Sequence, residues 1–240
     1  MIVLIRKKVL ATAGALLLIL AAAWVFRGPS QSVFSPQEAG LSRPVVIDAG
    51  HGGEDGGAVS ANGVSESRLN LAIAQKLQET MAFLGRETIM TRTGDTAIYS
   101  DDAGTLRQKK VSDLQNRVKL VNETAGSRLI SIHQNSLPGY PTVCGAQVFY
   151  NTVEGSRELA EEMQNVLNQT VNSGNEKQAK KIAPTIYLMK NVTKPAILVE
   201  CGFLSNPNET GRLQTDEYQL LLAVSIAAGY VNSYANEGVT

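Results

Sequence analysis

The chain has two histidines, His51 and His133, and each stands where an apolar run gives way to loop-forming residues. Val45-Val-Ile-Asp48 leads into Ala49-Gly-His-Gly-Gly-Glu-Asp-Gly-Gly57, and Leu129-Ile-Ser-Ile132 leads into His133-Gln-Asn-Ser136. Short apolar runs bounded by turn residues read as buried strands, and α/β sheets bind ligands where strand ends open into loops. Neutral imidazole is the commonest protein ligand for transition metals, so a metal site is the first reading. A third run, Ala196-Ile-Leu-Val-Glu200, ends on a carboxylate, a costly group at the edge of a core unless it has a partner or a task. Two imidazoles and one carboxylate are the protein ligands of many catalytic zinc sites, which leave the fourth tetrahedral position to water. A second carboxylate beside that water is then needed to take its proton and return it to a leaving amine. Glu54, Asp55, Glu66 and Glu200 are the candidates, and spacing alone does not divide the two roles among them. Asn135, just past His133, can orient a substrate by hydrogen bonding, although an Asn there also suits a turn.

A strand followed by glycines can instead cradle a phosphate, as in the dinucleotide pattern G-x-G-x-x-G. Gly50 and Gly52 fit its first two positions, but the third falls on Asp55. Glu54 and Asp55 would moreover repel the phosphate.

The elements that must position these residues alternate between strand and helix. Val45 to Asp48 reads as a strand, and Glu66 to Leu84 as an amphipathic helix with Leu69, Ile73, Leu77 and Met81 inward, closed by Gly85. Glu87 to Thr91 reads as a short strand. Ser112-Asp-Leu-Gln115 has the form of a capping box opening a helix that buries Leu114, Val118 and Val121. Leu129 to His133 and Gly145 to Tyr150 follow as strands, and Ser156 to Gln169 as a helix with Leu159, Met163 and Val166 on one face. Ala196 to Cys201 is the last strand, and Asp216 to Tyr234 a final helix with Leu220, Val224, Ala227 and Val231 inward. The expected fold is α/β: one domain with a mostly parallel twisted sheet and helices on both faces. Cys201 follows Glu200 directly, and successive strand residues point to opposite faces, so both cannot enter one site. Cys144 and Cys201 read as packing residues, their redox state open.

Residues 1–8 form a basic cytoplasmic tail ahead of Val9 to Phe26, eighteen residues without a charge. That is about the length that crosses a bilayer core. An uncleaved anchor is expected, with a cleaved signal peptide at Ala21-Ala22-Ala23 as the alternative; either way the following chain lies outside the cytoplasm. Residues 27–43 read as a linker, 44–235 as one domain and 236–240 as a tail. The 22 basic side chains balance 22 acidic ones, which leaves no field to attract nucleic acid.

Four stretches together resemble one family, the zinc-dependent N-acetylmuramoyl-L-alanine amidases known as amidase 3. They are Asp48 to Ala58, Glu66 at a helix start, Ser131-Ile-His-Gln-Asn-Ser136, and Pro195-Ala-Ile-Leu-Val-Glu-Cys-Gly-Phe-Leu-Ser-Asn-Pro207. The resemblance implies one zinc ion held by His51, Glu66 and His133, with Glu200 as the catalytic carboxylate. It implies peptidoglycan as substrate, cut at the amide between N-acetylmuramic acid and L-alanine of the stem peptide. Some relatives carry wall-binding repeats, or an inhibitory helix near the stretch from Leu137 to Gly145. Neither is read in this chain, whose compact, tethered form resembles the sporulation or germination-specific members. An accessory or activating protein fits such a form, although no residue demands one. The alternatives are a catalytically silent peptidoglycan-binding domain and a different exported zinc hydrolase of wall fragments, a deacetylase or peptidase.

Overall fold

The computed structural model describes residues 43–237. The expectations for residues 1–42, the membrane segment among them, lie outside the described residues. Within these, no helix is long and apolar enough to cross a membrane.

Six strands form one sheet: β1 (Val45–Ala49), β2 (Thr88–Met90), β3 (Arg128–Asn135), β4 (Gln147–Tyr150), β5 (Lys180–Lys181) and β6 (Ala196–Phe203), in the order β2-β1-β3-β6-β4-β5. The helices are α1 (Glu66–Phe83), α2 (Leu106–Glu123), α3 (Ser156–Thr170), α4 (Tyr187–Asn191), α5 (Pro207–Leu213) and α6 (Asp216–Glu237). The result is a single α/β domain with a mixed sheet. Strands β2, β1, β3 and β6 run parallel, as expected, but β4 is antiparallel to β6, and β5 follows the direction of β4. The reason lies in the link from β3 to β4, which contains turns and no helix. A parallel return needs a crossover of a dozen or more residues, usually helical; a short link turns the chain back.

The two-residue alternation of a strand sorts the site from the core. Val46, Leu129, Ala196 and Leu198 face Val121 of α2 and Leu188, Met189 and Val192 at α4. Asp48, Ser131, His133 and Glu200 continue that same alternation toward the strands' C-terminal ends. Register places Asp48 beside Ser131 and His133 beside Glu200. α1 buries Leu69, Ile73, Leu77 and Met81 as its spacing predicts and packs with α6, which also meets α3.

Two helices differ from the sequence reading. α2 begins earlier than predicted, because its capping box opens seven residues before the predicted one, as Thr105-Leu-Arg-Gln108: Thr105 Oγ1 accepts from Gln108 N at 3.2 Å while Thr105 N donates to Gln108 Oε1 at 2.9 Å. Both tetrapeptides fit the pattern, but the earlier one is followed at once by the helix formers Leu106 to Lys110. In α6, Leu220 and Val224 face solvent, and Ala223, Ile226, Ala227, Tyr230 and Tyr234 turn inward. Apolar residues surround this helix on nearly all sides, so periodicity alone could not choose its face.

Candidate metal centre and active site

The loop after β1 is shaped by its glycines and by a buried arginine. At Gly50 a Cβ would overlap the His133 imidazole, so only glycine lets this backbone pass against that ring. At Gly57, with φ 68°, a Cβ would stand 2.6 Å from Glu66 Oε2 and 2.8 Å from His51 Cδ2. His51 itself has φ 62°, the only positive φ of a non-glycine among the described residues. Such backbone costs on the order of 1–3 kcal/mol and persists only where surrounding contacts over-determine it.

Arg117 provides those contacts. Its Nη2 donates to His51 O at 2.7 Å, and its Nη1 donates to Ala49 O at 2.8 Å and to Asp48 Oδ1 at 2.6 Å. Its Nε donates to Asp113 Oδ2 at 2.8 Å. Arg92 adds bonds to Ala49 O at 2.8 Å and Gly50 O at 3.1 Å. Burial alone would raise the Asp48 carboxyl, but the Arg117 guanidinium, the His133 imidazole and the Ser131 hydroxyl together outweigh it and hold the group at about 2. Asp48 also accepts from Ser131 Oγ at 2.6 Å, which ties the end of β1 to β3. Sequence reasoning missed this support. Its signal was present: Asp113, Arg117 and Val121 recur at helical spacing on the buried side of α2, and Asp48 ends an apolar strand.

The structure brings His51, Glu66 and His133 together, with one ligand atom from each within 4.8 Å of the others. Glu66 Oε1 lies 2.9 Å from His133 Nδ1 and 3.4 Å from His51 Nε2, and the two rings meet edge-on with centroids 5.1 Å apart. Donor atoms sharing a tetrahedral zinc, at bond lengths of about 2.0–2.2 Å, lie about 3.4 Å apart. The three residues therefore fit such an ion with little movement. Glu66 is itself oriented by its surroundings: Oε2 accepts from Ala58 N at 2.9 Å, and Oε1 from Gln134 N at 3.1 Å and Asn70 Nδ2 at 3.3 Å. Burial works to raise its carboxyl, yet bonds from His133 and His51 hold it far below the usual range. For His51 burial disfavours the charged form, but Glu66 and Asp55 raise it above an ordinary imidazole.

Glu200 lies beside His133 across the strand pair. The residue is only partly buried, but its Oε2 is sealed from solvent with no hydrogen-bond partner. Burial pushes its carboxyl up to about 7, with the nearby Glu66 adding to the rise and the two imidazoles opposing it. Asn135 ends β3, and its Oδ1 accepts from Ser136 N at 2.8 Å, the turn-forming contact weighed above. Asp55 reaches His51 Nδ1, at 3.0 Å, while Glu54 pairs with Lys109 away from the imidazoles at 2.8 Å. Cys201 is fully buried and Cys144 partly so; both are free thiols, and burial pushes that of Cys201 well up.

The model of the N-acetylmuramoyl-L-alanine amidase family, amidase 3, matches residues 45–232, nearly all of the described domain. The chain belongs to this family. The amidase is 34% identical over 206 residues to the germination-specific N-acetylmuramoyl-L-alanine amidase of Bacillus subtilis, an alignment covering 85% of this chain and 86% of the relative. Among solved structures it resembles the CwlD amidase from Clostridioides difficile, determined in complex with the GerS lipoprotein. That match has a TM-score of 0.77 and 34% identity, and covers 81% of this chain and 99% of the other. An N-acetylmuramoyl-L-alanine amidase from Clostridium difficile 630 matches with a TM-score of 0.70 and 31% identity over 81% and 97% of the two chains. This amidase thus acts on peptidoglycan, at the bond between muramic acid and the stem peptide.

Proposed function

We propose that the amidase is a zinc hydrolase in which His51, Glu66 and His133 hold one zinc ion and Glu200 carries the proton. The observation behind this is the pairing of a cluster spaced for one ion with an unpartnered, buried carboxylate oxygen next to it. When bound, the zinc supplies a nucleophile at neutral pH by acidifying water, and it polarises the scissile carbonyl. Glu200, pushed up to about 7, is suited to take a proton from the attacking water and return it to the amine of L-alanine. The loop of Gly50 to Gly57, braced by Arg117, fixes His51 before substrate arrives. Asn135 is the residue we place against the substrate.

The resemblance to a germination-specific enzyme supports a role in remodelling spore cortex or wall. We place the domain outside the cytoplasm, anchored through residues 9–26, with secretion after cleavage as the alternative. The similar amidase solved with a lipoprotein supports an accessory partner of that kind here.

The test is to strip metal from the purified full-length chain, restore zinc, incubate both forms with peptidoglycan and identify the products by mass. Intact stem peptides beginning with L-alanine, released only with zinc, are expected. Release of acetate would make it a deacetylase. Zinc binding without any product would point to a missing partner, a modified substrate or a silent binding domain.

A further inference from the structure

The metal cluster has an asymmetry that its ligand set does not explain. His51 Nε2 faces Glu66, 3.4 Å away, while its other nitrogen, Nδ1, lies 3.0 Å from Asp55 Oδ2. Asp55 stands four residues after His51, and the loop is folded to bring it back: Gly52 N donates to Asp55 O at 2.8 Å and Asp55 N to Gly52 O at 3.2 Å. The left-handed backbone of His51 and Gly53 makes that reversal. Asp55 is in turn held from α2, where Lys110 Nζ lies 3.2 Å from Oδ2, and Gly57 N donates to Oδ1 at 3.4 Å.

We infer that Asp55 is a positioning residue for the metal site: it accepts the Nδ1 proton of His51 and so keeps Nε2 unprotonated toward the position shared with Glu66 and His133. The chemistry requires some such device. A neutral imidazole carries one proton on either nitrogen, and only the bare nitrogen binds a metal. A free neutral imidazole side chain favours the proton on Nε2, which would block this site. A carboxylate at Nδ1 reverses the preference, fixes the ring and raises its basicity as a ligand. The Lys110 contact holds Asp55 in place, so α2 steadies His51 twice, through Arg117 at the backbone and through Asp55 at the ring.

This inference rests on the ligand assignment above, and the two fail separately. Zinc affinity is measured by chelator competition on the full-length chain for wild type, Asp55→Asn and Asp55→Ala. In parallel, the ring nitrogens of the two histidines are recorded by ¹⁵N NMR in the metal-free protein, well above the imidazole pKa. Asp55→Ala is expected to weaken zinc binding about 10- to 100-fold and to move the His51 proton from Nδ1 to Nε2. The Asn variant, which keeps an accepting oxygen without the charge, should fall between. Thermal stability of the metal-free protein should barely change, because Asp55 is partly exposed. If wild type binds no zinc, the ligand assignment fails. If wild type binds and Asp55→Ala binds equally well, or its His51 keeps the Nδ1 proton, the role given to Asp55 is wrong. Should the Ala variant fail to fold, the Asn variant carries the same two readouts.

Discussion

Replacing Arg117 by Met tests whether the site is braced from beneath. The substitution keeps most of the side chain's length but removes every donor, leaving Asp48 and Asp113 without their cation and the carbonyls of Ala49 and His51 without a donor from α2. Asp48 and Arg117 are both almost fully buried, at 1% and 2% exposure, so water cannot take the place of the lost bonds. Breaking a buried ion pair on one side costs about 3–5 kcal/mol, because a desolvated charge is left behind. A domain of this size loses about 2–4 °C of melting temperature per kcal/mol, so the midpoint should fall by about 6–20 °C. Calorimetry on the full-length chain measures this, with Lys119→Met as the control. Lys119 pairs with Glu123 at 4.0 Å in solvent, and such a pair contributes about 1 kcal/mol at most. Zinc affinity should drop together with the midpoint in the Arg117 variant, since His51 then loses what holds its φ of 62°. A midpoint within about 2 °C of wild type would refute the reasoning.

Two further outcomes follow from the same geometry. The depressed carboxyl of Asp48 contributes stability that is complete above its unfolded pKa of 3.8 and is lost as pH falls through about 2. Acid titrations of the melting midpoint should thus show a loss of about 2 kcal/mol across that window, and Asp48→Asn should flatten it. Gly50→Ala pushes a methyl into the His133 ring and should weaken zinc binding, with an overpacking cost of about 1–3 kcal/mol. Gly56→Ala, where the nearest atom is Ser65 Cβ at 3.8 Å, should leave zinc affinity unchanged.

His51, His133 and Glu200 stood out in the sequence because their chemistry is unusual for their positions, whereas Glu66, an ordinary acid at a helix start, was singled out only by the family resemblance. Two histidines and a glutamate ending apolar strands, with glycines behind the first, announce themselves in a chain with no other histidine. α1 was legible because its hydrophobic spacing matches the helical period, and the parallel strands because their short apolar runs are bounded by turn residues. What escaped has physical causes. β4 reverses because its connection is short, a property of the link rather than of the strand. The inner face of α6 is decided by Tyr230 and Tyr234 fitting against their neighbours, which an all-round apolar helix does not reveal. α5 could have been read from Asn206-Pro207, whose asparagine caps the backbone of Asn208 and Glu209 while the proline takes the first turn. The Asp48–Arg117 pair joins residues 69 positions apart: helical spacing puts Asp113, Arg117 and Val121 on one face, but which strand that face meets is not local information.

The measurement that bears most directly on the central claim is Glu200→Gln, assayed for zinc binding and for release of stem peptides from peptidoglycan on the same protein. The substitution keeps the shape and removes the group that carries the proton. The account expects zinc affinity within a few-fold of wild type and turnover lower by about 100- to 10,000-fold, with the fold intact by circular dichroism. Turnover close to wild type would contradict it and move the proton transfer to another group. Loss of zinc together with turnover would make Glu200 a ligand, and the division of roles between Glu66 and Glu200 would be wrong.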